Sequence, residues 1–73
     1  MPQSERWQKR QASFLECVNN WCGNPPTFKL DPTHHRITMV EAPSGFIRLL
    51  MDEGAALFLR PEGLIVEFLS DFE

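Results

Sequence analysis

The chain has 73 residues, 42% of them hydrophobic, with six Phe, two Trp and a formal net charge of −3 at pH 7. This length fits a single domain over residues 1–73, and the apolar content excludes intrinsic disorder as the ground state. The negative charge argues against direct nucleic-acid binding through general attraction to phosphates.

Cysteine content and hydropathy indicate a cytoplasmic protein. Two cysteines in a chain of this length do not form a disulfide scaffold. The first residues, Met1 to Arg6, lack the apolar core of a signal peptide, and the apolar runs fall far short of the roughly 20 residues of a membrane helix. We therefore expect no membrane partner.

Residues 4–22 are predicted to form an amphipathic helix. Its end is marked by Gly23, which can adopt a left-handed conformation, and by Pro25-Pro26, which cannot continue a helix. At 100° per residue the apolar side chains fall within one stripe, which consists of Trp7, Phe14, Leu15, Val18, Trp21 and Cys22.

A hairpin is predicted after the helix. Residues 27–31 and 35–42 have the alternation and the β-branched content of strands. Between them, Asp31-Pro32-Thr33-His34 fits a type I turn, because Asp accepts backbone hydrogen bonds at the first position and Pro fixes φ at the second.

Three turns that end in glycine follow at a spacing of nine residues. The apolar segment after each turn has six residues, as in an antiparallel meander. We predict strands at 46–51, 55–60 and 64–69.

The segment 44–53 is ambiguous, because Ser44 could cap a helix that Gly54 ends. A helix would place Arg48 near its positive end and Asp52 near its negative end, and both placements are unfavourable. The equal spacing of the turns also favours a strand.

These elements predict an α+β fold in which the N-terminal helix packs on an antiparallel meander of about five strands. The alternatives are an α-β-β-α-β-β chain with a helix at 44–53, and a small barrel.

The predicted turns assign side chains to two faces of the sheet. A three-residue loop, a type I turn followed by a left-handed glycine, would place Arg60 opposite Leu64. One face is then the partner of the helix, and the other is an unusually large apolar patch without a helix to cover it. That face is the candidate interface, or else the inside of a barrel; it carries Phe46, Arg48, Leu50, Phe58, Arg60, Val66 and Phe68.

No motif fixes a reaction, and we expect no catalytic, cofactor-binding or metal-binding residues. Cys17, Cys22, His34 and His35 do not have the spacing of a zinc site. No serine or cysteine has an evident base beside it, and the glycines do not form a phosphate-binding loop.

The sequence therefore favours a small non-catalytic protein-interaction module, an adaptor, inhibitor or chaperone-like protein that binds a protein partner or forms a homodimer through the apolar sheet face. One alternative is a small-ligand-binding or enzyme subunit that uses the Asp31/His34/His35 turn. Another is an acidic regulator of a nucleic-acid-binding protein, acting through Asp52, Glu53, Glu62, Glu67, Asp71 and Glu73.

Overall fold

Over residues 5–69 the fold is α+β, with two helices and a four-stranded antiparallel sheet. The computed structural model describes residues 5–69. The strand order in the sheet is β1-β2-β4-β3. In chain order the elements are α1 (Glu5–Asn20), β1 (Thr27–Asp31), β2 (Arg36–Glu41), α2 (Ser44–Asp52), β3 (Ala55–Arg60) and β4 (Gly63–Phe68).

Both helices pack on the same face of the sheet. Ile37 of β2 lies opposite Val66 of β4, which lies opposite Leu57 of β3, so this row of side chains points to one face. Ile37 and Val66 are fully buried in one cluster with side chains of both helices. We call this side the helix face and the opposite side the open face.

The predicted N-terminal helix is confirmed, with α1 ending two residues before the predicted boundary. Trp7 and Phe14 of its apolar stripe are buried, whereas Cys22, also predicted in this stripe, lies beyond the helix and is exposed. Beyond the helix, the Trp21 indole lies over Gly23 and its Nε1 donates to the Asn24 carbonyl at 2.7 Å. This contact directs the chain into β1.

The predicted first hairpin is also confirmed by β1 and β2. The Asp31 carboxylate accepts hydrogen bonds from the backbone N–H groups of Thr33 at 3.0 Å and His34 at 3.2 Å. His35 then takes a left-handed conformation with φ of 50°, which lets the chain return as β2.

The strand predicted at 46–51 is wrong, and the helical alternative at 44–53 is correct, except that the N-terminal cap is Pro43 and not Ser44. These residues form α2, which starts after Pro43; the Pro43 carbonyl accepts from the N–H groups of Phe46 and Ile47. Gly54, with φ of 93°, follows the helix and donates to the Met51 carbonyl.

Burial decides for the helix over the strand. At helical spacing, Phe46 and Leu50 point to the core and Arg48 points to solvent. Burying each large apolar side chain contributes about 1.5–3 kcal/mol, whereas an unfavourable charge at an exposed helix end costs about 0.3–1 kcal/mol. Arg48 also lies 3.7 Å from the Asp52 carboxylate, one turn away.

The predicted register of the last hairpin is wrong by one residue. Arg60 lies opposite Gly63 and Leu59 opposite Leu64, so the connecting loop is Pro61-Glu62, with two residues rather than three. A one-residue shift moves every side chain of a strand to the other face. Val66 and Phe68 of β4 therefore point to the core, opposite in sense to Phe58 of β3.

Gly63 is required both by its positive φ, which residues with a side chain rarely adopt, and by a close approach to β2. It has φ of 140°, and a Cβ atom there would lie 2.7 Å from the Met39 carbonyl oxygen of β2. Glycine therefore lets β4 start close beside β2.

The sheet is open rather than a barrel, with β1 and β3 at its edges. β2 connects through α2 to β3, and β4 returns to lie between them. The predicted five-strand meander is thus replaced by four strands and a helical crossover.

Candidate protein-interaction surface

The seven candidate interface residues do not share one face. The helical conformation of residues 44–52 turns Phe46 and Leu50 inward, and the register of β4 turns Val66 and Phe68 inward. Phe46, Leu50, Val66 and Phe68 are buried in the core. Arg48 lies on the solvent side of α2. Phe58 and Arg60 remain together on β3, and their role in binding a partner stays a prediction.

The open face carries a groove of about 350 Å³ around Phe58. Thr38, Ile65 and Phe58 lie opposite one another across β2, β4 and β3, so they form one row on this face. Phe58 is 41% exposed, which is high for a phenyl ring. We call this depression the Phe58 groove; it is lined by Arg10, His34, His35, Arg36, Phe58, Arg60, Glu62, Ile65 and Glu67.

The rim of the Phe58 groove carries three arginines and two glutamates. The Arg36 guanidinium lies 3.9 Å from the Glu62 carboxylate, and both side chains are half exposed. Arg60 donates to the Leu59 carbonyl at 3.1 Å, and Arg10 donates to the His35 carbonyl at 2.8 Å. Seven of the nine lining residues are charged or polar, and Phe58 and Ile65 are the apolar members. The feature that the groove shares with residues that dominate binding energy is the combination of an exposed aromatic ring with arginines.

Asp31, His34 and His35 do not converge on a shared point. His34 Nδ1 lies 2.8 Å from Asp31 Oδ2, and these contacts hold the pKa of the Asp31 carboxyl below its usual value of 3.8. The His35 ring instead stacks on Trp7, with centroids 5.6 Å apart. Both histidines line the Phe58 groove, but Asp31 does not.

The cysteines lie apart and both are free thiols. Cys17 lies at the interface of α1 and α2; burial raises the pKa of its thiol, and the charges of Glu53 and Glu16 raise it further. A raised pKa lowers the thiolate population, so Cys17 is a poor nucleophile. Cys22 is exposed after the end of α1. Within residues 5–69, no group of three or more His, Cys, Asp or Glu side chains could hold a metal ion.

The acidic residues do not form a single row. Asp52 lies in the last turn of α2 and Glu53 directly follows it, whereas Glu62 and Glu67 line the Phe58 groove beside Arg36. Asp71 and Glu73 lie outside the described residues. The acidic-regulator hypothesis stays a prediction.

A second exposed apolar region lies along the edge strand β3. Leu59 is 76% exposed, although its register places it on the helix face with Leu64. Met51, in the last turn of α2 before β3, is 56% exposed, and Leu69, which bonds to Gly54, is also exposed. The sequence interpretation missed this edge because it assigned Leu59 to the surface that the helix covers.

Comparisons with known proteins do not indicate a function for this chain. No family model, curated protein or solved structure matches this chain. In residues 5–69, neither helix has the length and apolarity to cross a membrane.

Proposed function

We propose that this protein is a small non-catalytic interaction module that binds another protein, or a second copy of itself, through β3 and the adjoining Phe58 groove. The observation that carries the proposal is the exposure of Phe58 on an edge strand, in a groove that Arg36 and Arg60 also line. Aromatic and arginine side chains are enriched among residues that dominate binding energy. An adaptor, inhibitor or chaperone-like role in the cytoplasm fits two free thiols.

The small size of the domain also supports a role in binding, because a partner would cover apolar surface that so short a chain leaves exposed. A domain of this length buries only about 60% of its unfolded surface. Within residues 5–69, four large apolar side chains beside or on β3 remain exposed, namely Met51, Phe58, Leu59 and Leu69. Covering them with a partner would remove apolar area from water at about 25 cal/mol per Å².

The proposal is tested with Phe58→Asp and with Val40→Asp as the matched control. Both side chains are exposed and apolar, but Val40 does not line the Phe58 groove. Immobilised wild-type protein is used to capture binding proteins from the source cells. Each captured protein is identified, purified and titrated against wild type, Phe58→Asp and Val40→Asp. If Phe58 is a central anchor, Phe58→Asp weakens binding by about 2 kcal/mol or more, which is about 30-fold in Kd.

Circular dichroism confirms beforehand that each variant is folded. A partner that binds Phe58→Asp as tightly as wild type would contradict the proposed surface. Equal losses from Phe58→Asp and Val40→Asp would do the same, because they would indicate a general effect of added charge.

A second candidate is a small anionic ligand in the Phe58 groove. It is favoured by one observation: both His34 and His35 line the groove together with its arginines. NMR titration with inorganic phosphate would shift the His34 and His35 signals in wild type and not in Arg36→Gln. Shifts that spread evenly over the surface would contradict it.

A further inference from the structure

Within residues 5–69, one hydrogen bond shows which backbone groups of β3 point away from β4. The Leu69 N–H donates to the Gly54 carbonyl at 2.9 Å, in the same register that pairs β3 with β4. In an antiparallel pair, only every second residue bonds to a given neighbouring strand. The N–H and C=O groups of Ala55, Leu57 and Leu59 therefore point away from the sheet.

A side-chain contact agrees with this assignment. Arg60 Nη1 donates to the carbonyl oxygen of Leu59 at 3.1 Å. The guanidinium can reach the Leu59 carbonyl oxygen because this oxygen points away from β4.

The two edges of the sheet differ in how they are protected. β1 has Lys29 at its centre, a register shift between Thr27 and Phe28, and Pro32 directly after it. Charges, bulges and prolines are the devices that prevent edge strands from pairing with other chains. β3 has none of these before Arg60, and its register with β4 runs without a shift.

We propose that β3 pairs antiparallel with β3 of a second copy, about a two-fold axis that passes beside Leu57. This inference rests on the proposed function and names its partner. Leu57 then lies opposite Leu57 of the second copy, and Ala55 lies opposite Leu59. The outward-facing N–H groups of the strand and the carbonyls of Ala55 and Leu57 gain partners, and the Leu59 carbonyl, which already accepts from Arg60, accepts a second hydrogen bond. The two sheets join into one of eight strands.

Side chains on both faces fit this register. On the helix face, Leu59 packs against Ala55 of the second copy, beside the exposed Met51 that precedes it. On the open face, Phe58 lies next to Ala56 of the second copy, and a small neighbour leaves room for the ring.

The charges are also complementary across the axis. Arg60, the one charged residue of β3, lies opposite Gly54 of the second copy and next to its Glu53. An axis shifted by one residue to Phe58 fits less well, since it would place Ala55 opposite Pro61, which has no N–H to donate.

Sedimentation equilibrium from low to high micromolar concentration tests the dimer. Wild type is expected to dimerise, and Leu59→Lys and Leu59→Pro to dimerise at least about tenfold more weakly, because charge or a missing donor blocks the edge. Both variants should fold, since the Leu59 side chain is exposed and its N–H points outward. Val40→Lys is the matched control for added charge and should dimerise like wild type.

Disulfide trapping tests the register in a Cys22→Ser background. Leu57→Cys should form a cross-linked dimer on mild oxidation, because opposed Cα atoms lie about 5.5 Å apart in a hydrogen-bonded pair. Leu59→Cys should not, because the two copies of residue 59 would lie four residues, or about 13 Å, apart. Cross-linking of Leu59→Cys in preference to Leu57→Cys would overturn the register.

A folded Leu59→Lys variant that dimerises like wild type would overturn the inference, as would wild-type protein that is monomeric at every concentration. The two proposals fail separately. A monomer that still captures a protein in a Phe58-dependent manner leaves the proposed function standing, whereas a monomer that captures none contradicts both.

Discussion

The burial of Phe46 gives the sharpest test of the corrected fold. Its side chain has no exposed surface, and its ring makes edge contacts with Phe14 and Trp21, at centroid distances of 6.0 and 5.9 Å. Phe46→Ala removes these contacts and leaves a cavity, which typically costs about 3–5 kcal/mol. A domain of this length has a total stability of roughly 4–11 kcal/mol, so the variant should be close to unfolding.

Urea unfolding followed by circular dichroism measures the loss. With a slope of about 1 kcal/mol per molar urea, the midpoint of Phe46→Ala should fall by about 3 M or more. Phe46→Leu, which keeps most of the apolar volume but loses the ring contacts, provides an intermediate value of about 1–3 kcal/mol.

Arg48→Ala on the same helix is the matched control. Its side chain is 80% exposed and its ion pair with Asp52 is on the surface, so the expected cost is below about 0.5 kcal/mol. In a strand, positions 46 and 48 would share a face. Equal effects of Phe46→Ala and Arg48→Ala, or a loss below about 1 kcal/mol for Phe46→Ala, would refute the helical packing.

Three further outcomes are expected. Gly45→Ala should lower the urea midpoint rather than raise it, because a Cβ at position 45 would lie 2.7 Å from the Trp21 ring; a midpoint above that of wild type would contradict this packing. With a chromogenic disulfide reagent, the Cys22 thiol should react at once and the Cys17 thiol only as fast as the domain opens, because burial raises the pKa of Cys17 and limits access to it. Equally fast reaction of both thiols would contradict the burial of Cys17. The folded-state pKa of Asp31 is lowered, so its charge stabilises the fold above about pH 3.8, and this contribution is lost as pH falls through the lowered pKa. Asp31→Asn should therefore make the free energy of unfolding depend less on pH below about pH 4. An unchanged pH dependence in that range would refute the lowered pKa of Asp31.

Patterns within short stretches of sequence were sufficient to predict α1 and the β1–β2 hairpin. α1 was predictable because its stripe is long and its end is marked by Gly23 and two prolines. The β1–β2 hairpin was predictable because Asp31-Pro32 determines its own turn through bonds that lie within the loop. In both segments the residues that decide the structure are close in sequence.

The two errors involve contacts between distant segments. Residues 46–51 have an apolar pattern that fits a strand or a helix, and only packing of Phe46 on α1 residues selects the helix. The loop Pro61-Glu62-Gly63 fits two registers, and the close approach of Gly63 to Met39 selects the shorter loop.

Only part of the candidate interface was predictable, because some of its residues are positioned by contacts between distant segments. Alternation alone places Phe58 and Arg60 on one face of β3. The inclusion of Val66 and Phe68 depended on the register of the hairpin, and that of Phe46 and Leu50 on the type of element. The exposure of Leu59 depends on β3 being an edge strand, which is a property of sheet order that alternation does not carry.

The position of β4 between β2 and β3 also bears on how the protein is made. Among the six elements of residues 5–69, β4 is synthesised last, yet it lies in the interior of the sheet. In the finished sheet β2 and β3 lie two strand spacings apart, roughly 10 Å, so β3 has no neighbouring strand to pair with until β4 emerges. The core around Phe14 also lacks Val66 and Phe68 during this time. The nascent chain can form α1 and the first hairpin, but the domain closes only when synthesis of β4 is complete.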